Sequence, residues 1–167
     1  MRILAGDIGG TKTDLALFND AGTIVARKRY PSRGYPSLMS VAKEFLGATT
    51  IDAAAFAVAG PVVDGSCKAT NLPWQMDETT LGAALAAPVT LLNDLAAVIY
   101  GIPELDRARD FAVLAEGARD PDGPFAVVAA GTGLGESIGV PMPGGLRVLP
   151  SEGGHTDFPP RNEVEFA

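Results

Sequence analysis

Four short stretches of this chain carry residue types able to do chemistry. The first is Asp7, followed at once by Gly9-Gly10-Thr11-Lys12. A carboxylate beside a glycine turn, with a hydroxyl and an ammonium next in line, suits a metal-bound phosphate. Asp7 would take the metal side, and the turn's amides, Thr11 and Lys12 the oxygens. An ordinary hairpin with a surface aspartate is the competing reading. The second stretch, Asn93-Asp94, ends one apolar run and opens another. Helix capping accounts for one such side chain; two adjacent ones exceed what a cap requires, which makes Asp94 a candidate acid–base group. The third, Gly131-Thr132-Gly133-Leu134-Gly135, lies between two strand-like runs. That placement argues against a dinucleotide fingerprint, which needs a helix N-terminus. It suits a second turn whose amides and Thr132 face phosphate, with a plain glycine-rich hairpin as the alternative. The fourth is Ser151-Glu152-Gly153-Gly154-His155-Thr156-Asp157. Its acidic and imidazole groups read either as metal ligands, though without a helical zinc spacing, or as donors and acceptors for a polyhydroxylated ligand.

These stretches need elements to position them. Residues 2–7, 13–18 and 23–30 read as a three-stranded antiparallel meander, with a turn at Asn19-Asp20-Ala21-Gly22. Apolar positions 38, 41, 42, 45 and 46 form a helical stripe stopped by Gly47. Residues 51–59 read as a buried parallel strand. Asp64-Gly65 marks a small hairpin, and Asp77 caps a helix running to about residue 85. A strand at 89–92 runs into Asn93-Asp94, with a helix over 95–100. Further strands are expected at 111–114, 125–130 (buried), 136–140 and 146–149, with a turn over 141–145. Strands alternating with helices after a meander give an α/β domain with a mixed central sheet. In such sheets ligands collect where strand ends meet loops, and three of the four polar stretches fall at expected strand ends.

Composition narrows the partners. The 167 residues are 47% hydrophobic, enough for a well-buried core. A net charge of −7 leaves no electrostatic footprint for nucleic acid or an anionic membrane, so phosphate binding must be local and metal-assisted. The single cysteine, Cys67, excludes an intrachain disulfide framework and fits a reducing cytoplasm. It is a poor nucleophile candidate, because the sole histidine, His155, lies far along the chain. No run approaches the roughly 18 apolar residues of a spanning helix, and the N-terminus does not read as a signal peptide.

Read in order, GDIGGTKTDLALF, LLNDLAA, AGTGLG and LPSEGGHTDF resemble the ATP-dependent bacterial glucokinases, members of the sugar kinase, heat-shock protein and actin superfamily. ATNLPW resembles that family's early sugar-side loop. The resemblance implies a ribonuclease H-like (actin-like ATPase) α/β domain, its mixed sheet opening with the meander and flanked by helices. It implies ATP and Mg²⁺ as cofactors and glucose as substrate. It makes Asp94 the general base on the sugar's primary hydroxyl, with Asn71, Asn93, Glu152 and His155 on the other hydroxyls. Asp7, Gly9, Gly10, Thr11, Lys12, Gly131, Thr132 and Gly133 would face the phosphates, Asp7 holding Mg²⁺ through water. A non-catalytic sugar-binding regulator and a metal-dependent phosphohydrolase are the alternatives on the same fold.

Three departures qualify the resemblance. Glu136 stands where a small or apolar residue is usual. Residues 156–167 contain no cysteine, so the zinc site of the related ROK kinases is not expected. The family's second domain, with an adenosine pocket, lies beyond this chain. Asn162, with Glu165 at the capping-box position, starts a helix. Residues 1–160 therefore read as an N-terminal sugar-kinase domain and 161–167 as the start of a crossover helix. Phe158, Val164 and Phe166 are expected to form an apolar face favouring a homo-oligomer.

Overall fold

The computed structural model describes every residue except Thr70, Arg119, Thr132, Glu152, Phe158 and Ala167, and the Phe166 side chain. The chain forms two compact units, Met1–Ala97 and Val98–Ala167.

In the first unit the strands are β1 (Ile3–Ile8), β2 (Lys12–Phe18), β3 (Ile24–Pro31), β4 (Ala53–Val58), β5 (Ser66–Lys68), β6 (Gln75–Asp77) and β7 (Val89–Asn93). The helices are α1 (Leu38–Leu46), α2 (Glu78–Leu85) and the first turn of α3 (Asp94–Gly101), whose later residues belong to the second unit. Five strands form one sheet in the order β3-β2-β1-β4-β7. β1, β2 and β3 are antiparallel, as the meander predicts, and β1, β4 and β7 are parallel. The two-residue period of a strand puts alternate side chains on one face. Leu4 and Ile8, Leu15 and Leu17, Phe56 and Val58, and Leu91 fill that face and are buried with Leu38, Val41 and Ala42 of α1. Asp64 and Gly65 take positive φ of 48° and 70° at the expected small hairpin.

Asp77 caps α2 as expected. Its Oδ1 accepts from the Thr80 N–H at 2.8 Å and hydroxyl at 2.9 Å, and its Oδ2 from the Ser66 hydroxyl at 2.9 Å. The Thr80 backbone bond, then the two hydroxyls, hold its carboxyl below the ordinary carboxylate value of 3.8. A depressed folded value contributes stability that is present above the unfolded value and lost as pH falls through the folded one. Asp77→Ala should therefore lower Tm at pH 7, and the gap to the parent should narrow as the medium is acidified below about pH 4. Thermal melts across pH check this; a pH-independent gap would remove the charge from the argument.

The second unit contains α4 (Arg107–Asp110), β8 (Phe125–Ala130), β9 (Leu134–Met142), β10 (Gly145–Ser151) and α5 (Glu163–Phe166). β8, β9 and β10 form an antiparallel sheet in the order β10-β9-β8. Two expectations fail here. Residues 111–114 form no strand: the apolar run finds no sheet neighbour, and Leu114 is 97% exposed. β8 is present but not buried, with Val128 63% exposed. The turn after β9 is also tighter than expected, because β9 continues to Met142 and β10 starts at Gly145. Asn162 caps α5 through Oδ1 at 3.1 Å from the Val164 and Glu165 N–H groups. Glu165 reaches back to the Arg161 N–H at 2.8 Å rather than to Asn162, so the reciprocal capping bond is displaced by one residue. Of the apolar trio, Val164 is exposed; Phe158 and the Phe166 side chain lie outside the described residues. Among the described residues no helix is long and apolar enough to cross a membrane.

Candidate active site

The parallel register fixes where the first unit's polar groups stand. Asp7 is opposite Ala57 of β4; Val58 of β4 is opposite both Ile8 of β1 and Asn93 of β7. Asp7 and Asn93-Asp94 thus share one edge of the sheet with a single strand between them, strand axes about 10 Å apart. At that edge Asn93 does the capping. Its Oδ1 accepts from the Leu95 and Ala96 N–H groups at 3.1 and 3.2 Å, and its Nδ2 donates to the Gly60 carbonyl at 3.2 Å. The second Nδ2 hydrogen has no acceptor among the described residues. Asp94 Oδ1 accepts from the Leu95 N–H at 2.9 Å. Asp94 Oδ2 has no hydrogen-bond partner among the described residues, so one carboxylate oxygen of a half-buried residue is open to a proton.

The first glycine turn lies at the end of β1. The Gly9 N–H donates to the Lys12 carbonyl at 3.0 Å, and the Ser32 N–H to the Thr11 carbonyl at 3.0 Å. The Ser32 hydroxyl donates to the Gly9 carbonyl at 2.7 Å. Loss of water around the Asp7 carboxyl, then the charges of Asp94 and Asp14, push its pKa above the ordinary 3.8, against the pull of Lys12 and Arg29. Asp14 is its cross-strand neighbour. Burial alone would raise Asp14 as well, but Arg29, bonded through Nε at 2.7 Å, and Arg27 at 3.4 Å hold it below 3.8. A carboxylate crowded by like charge is an electrostatically favourable place for a divalent cation. Among the described residues no group of three or more His, Cys, Asp or Glu side chains could hold a metal. Asp7 would hold such an ion through water, beside phosphate oxygens.

Asn71 joins this cluster, although only the family resemblance pointed to it. Trp74, 1% exposed, donates from Nε1 to the Tyr35 carbonyl at 3.1 Å, and Leu72 is buried. These anchors bring Asn71 onto the glycine turn, where a Cβ on Gly10 would lie 2.6 Å from the Asn71 Cβ. Gly10 has no left-handed φ, so what it supplies is room. Gly10→Ala should cost about 1–3 kcal/mol from overpacking. Asn71→Gly in the same chain should recover most of that by opening the space. Denaturant midpoints of the two single variants and the double variant check this; strictly additive losses would mean that the two residues do not bear on each other. A cavity of about 680 Å³ in the first unit, between α1, the β5–β6 hairpin and α2, is lined by none of the candidate residues.

In the second unit the Gly131 N–H donates to the Gly133 carbonyl at 2.8 Å, closing the turn between β8 and β9. Among the described residues neither glycine has a neighbour within 4 Å of an added Cβ, and neither has a left-handed φ. A single 3-10 turn, Gly153–His155, follows β10. Gly154 lies against the Leu134 carbonyl and Gly153 against the Glu136 carboxylate, so this turn rests on the start of β9 beside the Gly131–Gly133 turn. Glu136 thereby has a place, under Gly153. His155 and Asp157 are exposed. Thr132 and Glu152 lie outside the described residues. Sequence reasoning missed Ser32, for which the sequence holds no signal, and the Arg29–Asp14 pair, which the alternation of β2 and β3 could have suggested.

Comparison with known proteins identifies the family. The glucokinase family model matches residues 4–167. A glucokinase from Nostoc sp. is 42% identical over 173 aligned residues, covering 98% of this chain and 50% of that protein. The crystal structure of a glucokinase from an Antarctic psychrotroph superposes with a TM-score of 0.83 at 31% identity, covering 99% of this chain and 54% of that one. A ROK family glucokinase from Streptomyces griseus, solved with glucose and AMPPNP, shares the fold at a TM-score of 0.60 and 21% identity, covering 88% and 46%. The chain spans about half the length of the curated relatives it matches. The architecture is that of the actin-like ATPases, a mixed sheet opened by an antiparallel meander. With the family model matched from the first strand to the last residue, this chain belongs to the glucokinase family.

Proposed function

We propose that this chain supplies the N-terminal part of an ATP-dependent hexose kinase that phosphorylates the 6-hydroxyl of glucose. The observation that carries the reading is the β7–α3 junction, where Asp94 Oδ2 has no hydrogen-bond partner among the described residues, on the sheet edge that also bears Asp7. Phosphoryl transfer asks mainly for positioning and charge stabilisation, with one group to take the attacking hydroxyl's proton. Asp94 Oδ2 accepts that proton as the sugar oxygen bonds to phosphorus. Asn93 offers its spare Nδ2 hydrogen to a neighbouring hydroxyl while its other bonds hold the junction rigid. By the family resemblance, Asn71, and separately His155 and Glu152, are assigned to the remaining sugar hydroxyls.

By the family resemblance, Gly9, Gly10, Thr11 and Lys12 are assigned to the phosphates of ATP, and separately so are Gly131 and Gly133, with Thr132 assigned from the motif alone. The surroundings of Gly131 and Gly133 leave space for a ligand to approach the backbone, which supports this role. Mg²⁺, held by Asp7 through water and by the phosphate oxygens, would neutralise charge on those oxygens.

The test is glucose 6-phosphate formation from Mg-ATP by the protein at the length of its relatives. Sugar-dependent product supports the kinase reading. Sugar binding without turnover would favour a regulator, and phosphate release without sugar a phosphohydrolase.

A further inference from the structure

A buried hydroxyl pair lies beneath the first glycine turn and has no part in the roles assigned above. Thr13 on β2 and Ser32, just after β3, are both 0% exposed. Their hydroxyl oxygens are 2.9 Å apart, and Ser32 Oγ is 2.7 Å from the Gly9 carbonyl. A carbonyl only accepts, so the one Ser32 hydroxyl proton goes to Gly9, and Thr13 is the donor to Ser32. The Ser32 N–H donates to the Thr11 carbonyl at 3.0 Å. Ser32 therefore holds two carbonyls of the turn, one with its side chain and one with its backbone.

Holding a carbonyl fixes a peptide plane. The peptides here are trans, so the N–H of the following residue points away from the carbonyl before it. With the Gly9 and Thr11 carbonyls turned towards Ser32, the Gly10 and Lys12 N–H groups point the other way. A two-residue hairpin ordinarily closes with reciprocal bonds between its flanking residues. Here only half of that closure is made. The Gly9 N–H donates to the Lys12 carbonyl, but among the described residues the Lys12 N–H makes no return bond to the Gly9 carbonyl. That carbonyl bonds to the Ser32 hydroxyl instead.

We infer that Ser32 is a positioning residue: by drawing the Gly9 and Thr11 carbonyls inward, it presents the Gly10 and Lys12 N–H groups as a pair of donors for phosphate oxygens. This rests on the proposed function, in which the turn faces ATP. Thr13 supports it by donating to Ser32 Oγ, which aims the single Ser32 proton at Gly9.

Ser32→Ala frees the Gly9 carbonyl to take the Lys12 N–H and close an ordinary hairpin. Hydrogen exchange at the Lys12 amide should then slow, while exchange in β4 and β7 stays as in the parent. KM for Mg-ATP should rise about three- to tenfold, with KM for glucose within about twofold of the parent. Thr13→Ser keeps the donor and should behave as the parent; Thr13→Val removes it and should move both readouts in the same direction by less. Should Ser32→Ala fail to fold, the same readouts on Thr13→Val decide. A purely structural pair would give a lower Tm with unchanged KM for Mg-ATP, or faster exchange throughout the turn, and either result overturns the inference. If the parent phosphorylates no sugar, the kinase reading fails, and exchange at Lys12 still decides the role of Ser32.

Discussion

Asp94→Asn should cut kcat by about 10²–10⁴-fold in the protein at family length, while KM for glucose changes little. The substitution keeps the side chain's shape. It also keeps an oxygen for the Leu95 N–H, which Oδ1 accepts at 2.9 Å in the parent. What it removes is the acceptor at Oδ2, the oxygen with no partner among the described residues. A carboxamide NH₂ at that position donates towards the sugar hydroxyl instead of accepting its proton. Asn93 already caps α3, so the helix start should not unravel, and Tm should stay near that of the parent. Steady-state kinetics together with a thermal melt separate lost chemistry from lost structure. A variant with parental kcat would remove Asp94 as the base. A variant with a much lower Tm would mean that Asp94, not Asn93, carries the cap.

An apolar strand that runs into two adjacent polar residues is a local pattern, and parallel pairing with β4 then places it beside Asp7. The meander, α1 and the Asp77 cap were legible for the same reason, since each is set by periodicity or by a cap within a few residues. Gly10 was visible as a glycine, but its reason was not. The crowding comes from Asn71, far along the chain, and depends on Trp74 being buried. Ser32 was invisible because it acts only once β3 has carried it back beside β2. The run at 111–114 misled because periodicity says a segment can pair, not that a partner exists. β8 misled in another way: its composition is apolar, but burial needs a covering layer that composition does not specify.

Gly154→Ala should harm both substrates, and His155→Ala only one. The His155 side chain is exposed, and its truncation removes a hydrogen-bonding group from the turn after β10. KM for glucose should rise by the equivalent of about 1–3 kcal/mol, the usual result of leaving a polar partner unpaired, with KM for Mg-ATP nearly unchanged. Gly154 is a different case. Its φ is not left-handed, so alanine meets no conformational penalty; the obstacle is the Leu134 carbonyl, against which an added methyl would overlap. A flexible side chain could swing aside, but a backbone carbonyl within β9 cannot move without its strand, which pairs with both β8 and β10. Overpacking of this kind costs about 1–3 kcal/mol, and more where the neighbour cannot yield. Whichever side gives way, the disturbance reaches two places. Outward movement of the Gly153–His155 turn takes His155 with it. Movement of Leu134 shifts the residue next to Gly133, in the turn assigned to phosphate. Both KM values should therefore rise, kcat should fall, and Tm should drop. A Gly154→Ala variant that raised KM for glucose alone would show that the two turns do not share Leu134 as a common support, and that the second unit holds its sugar and phosphate groups independently.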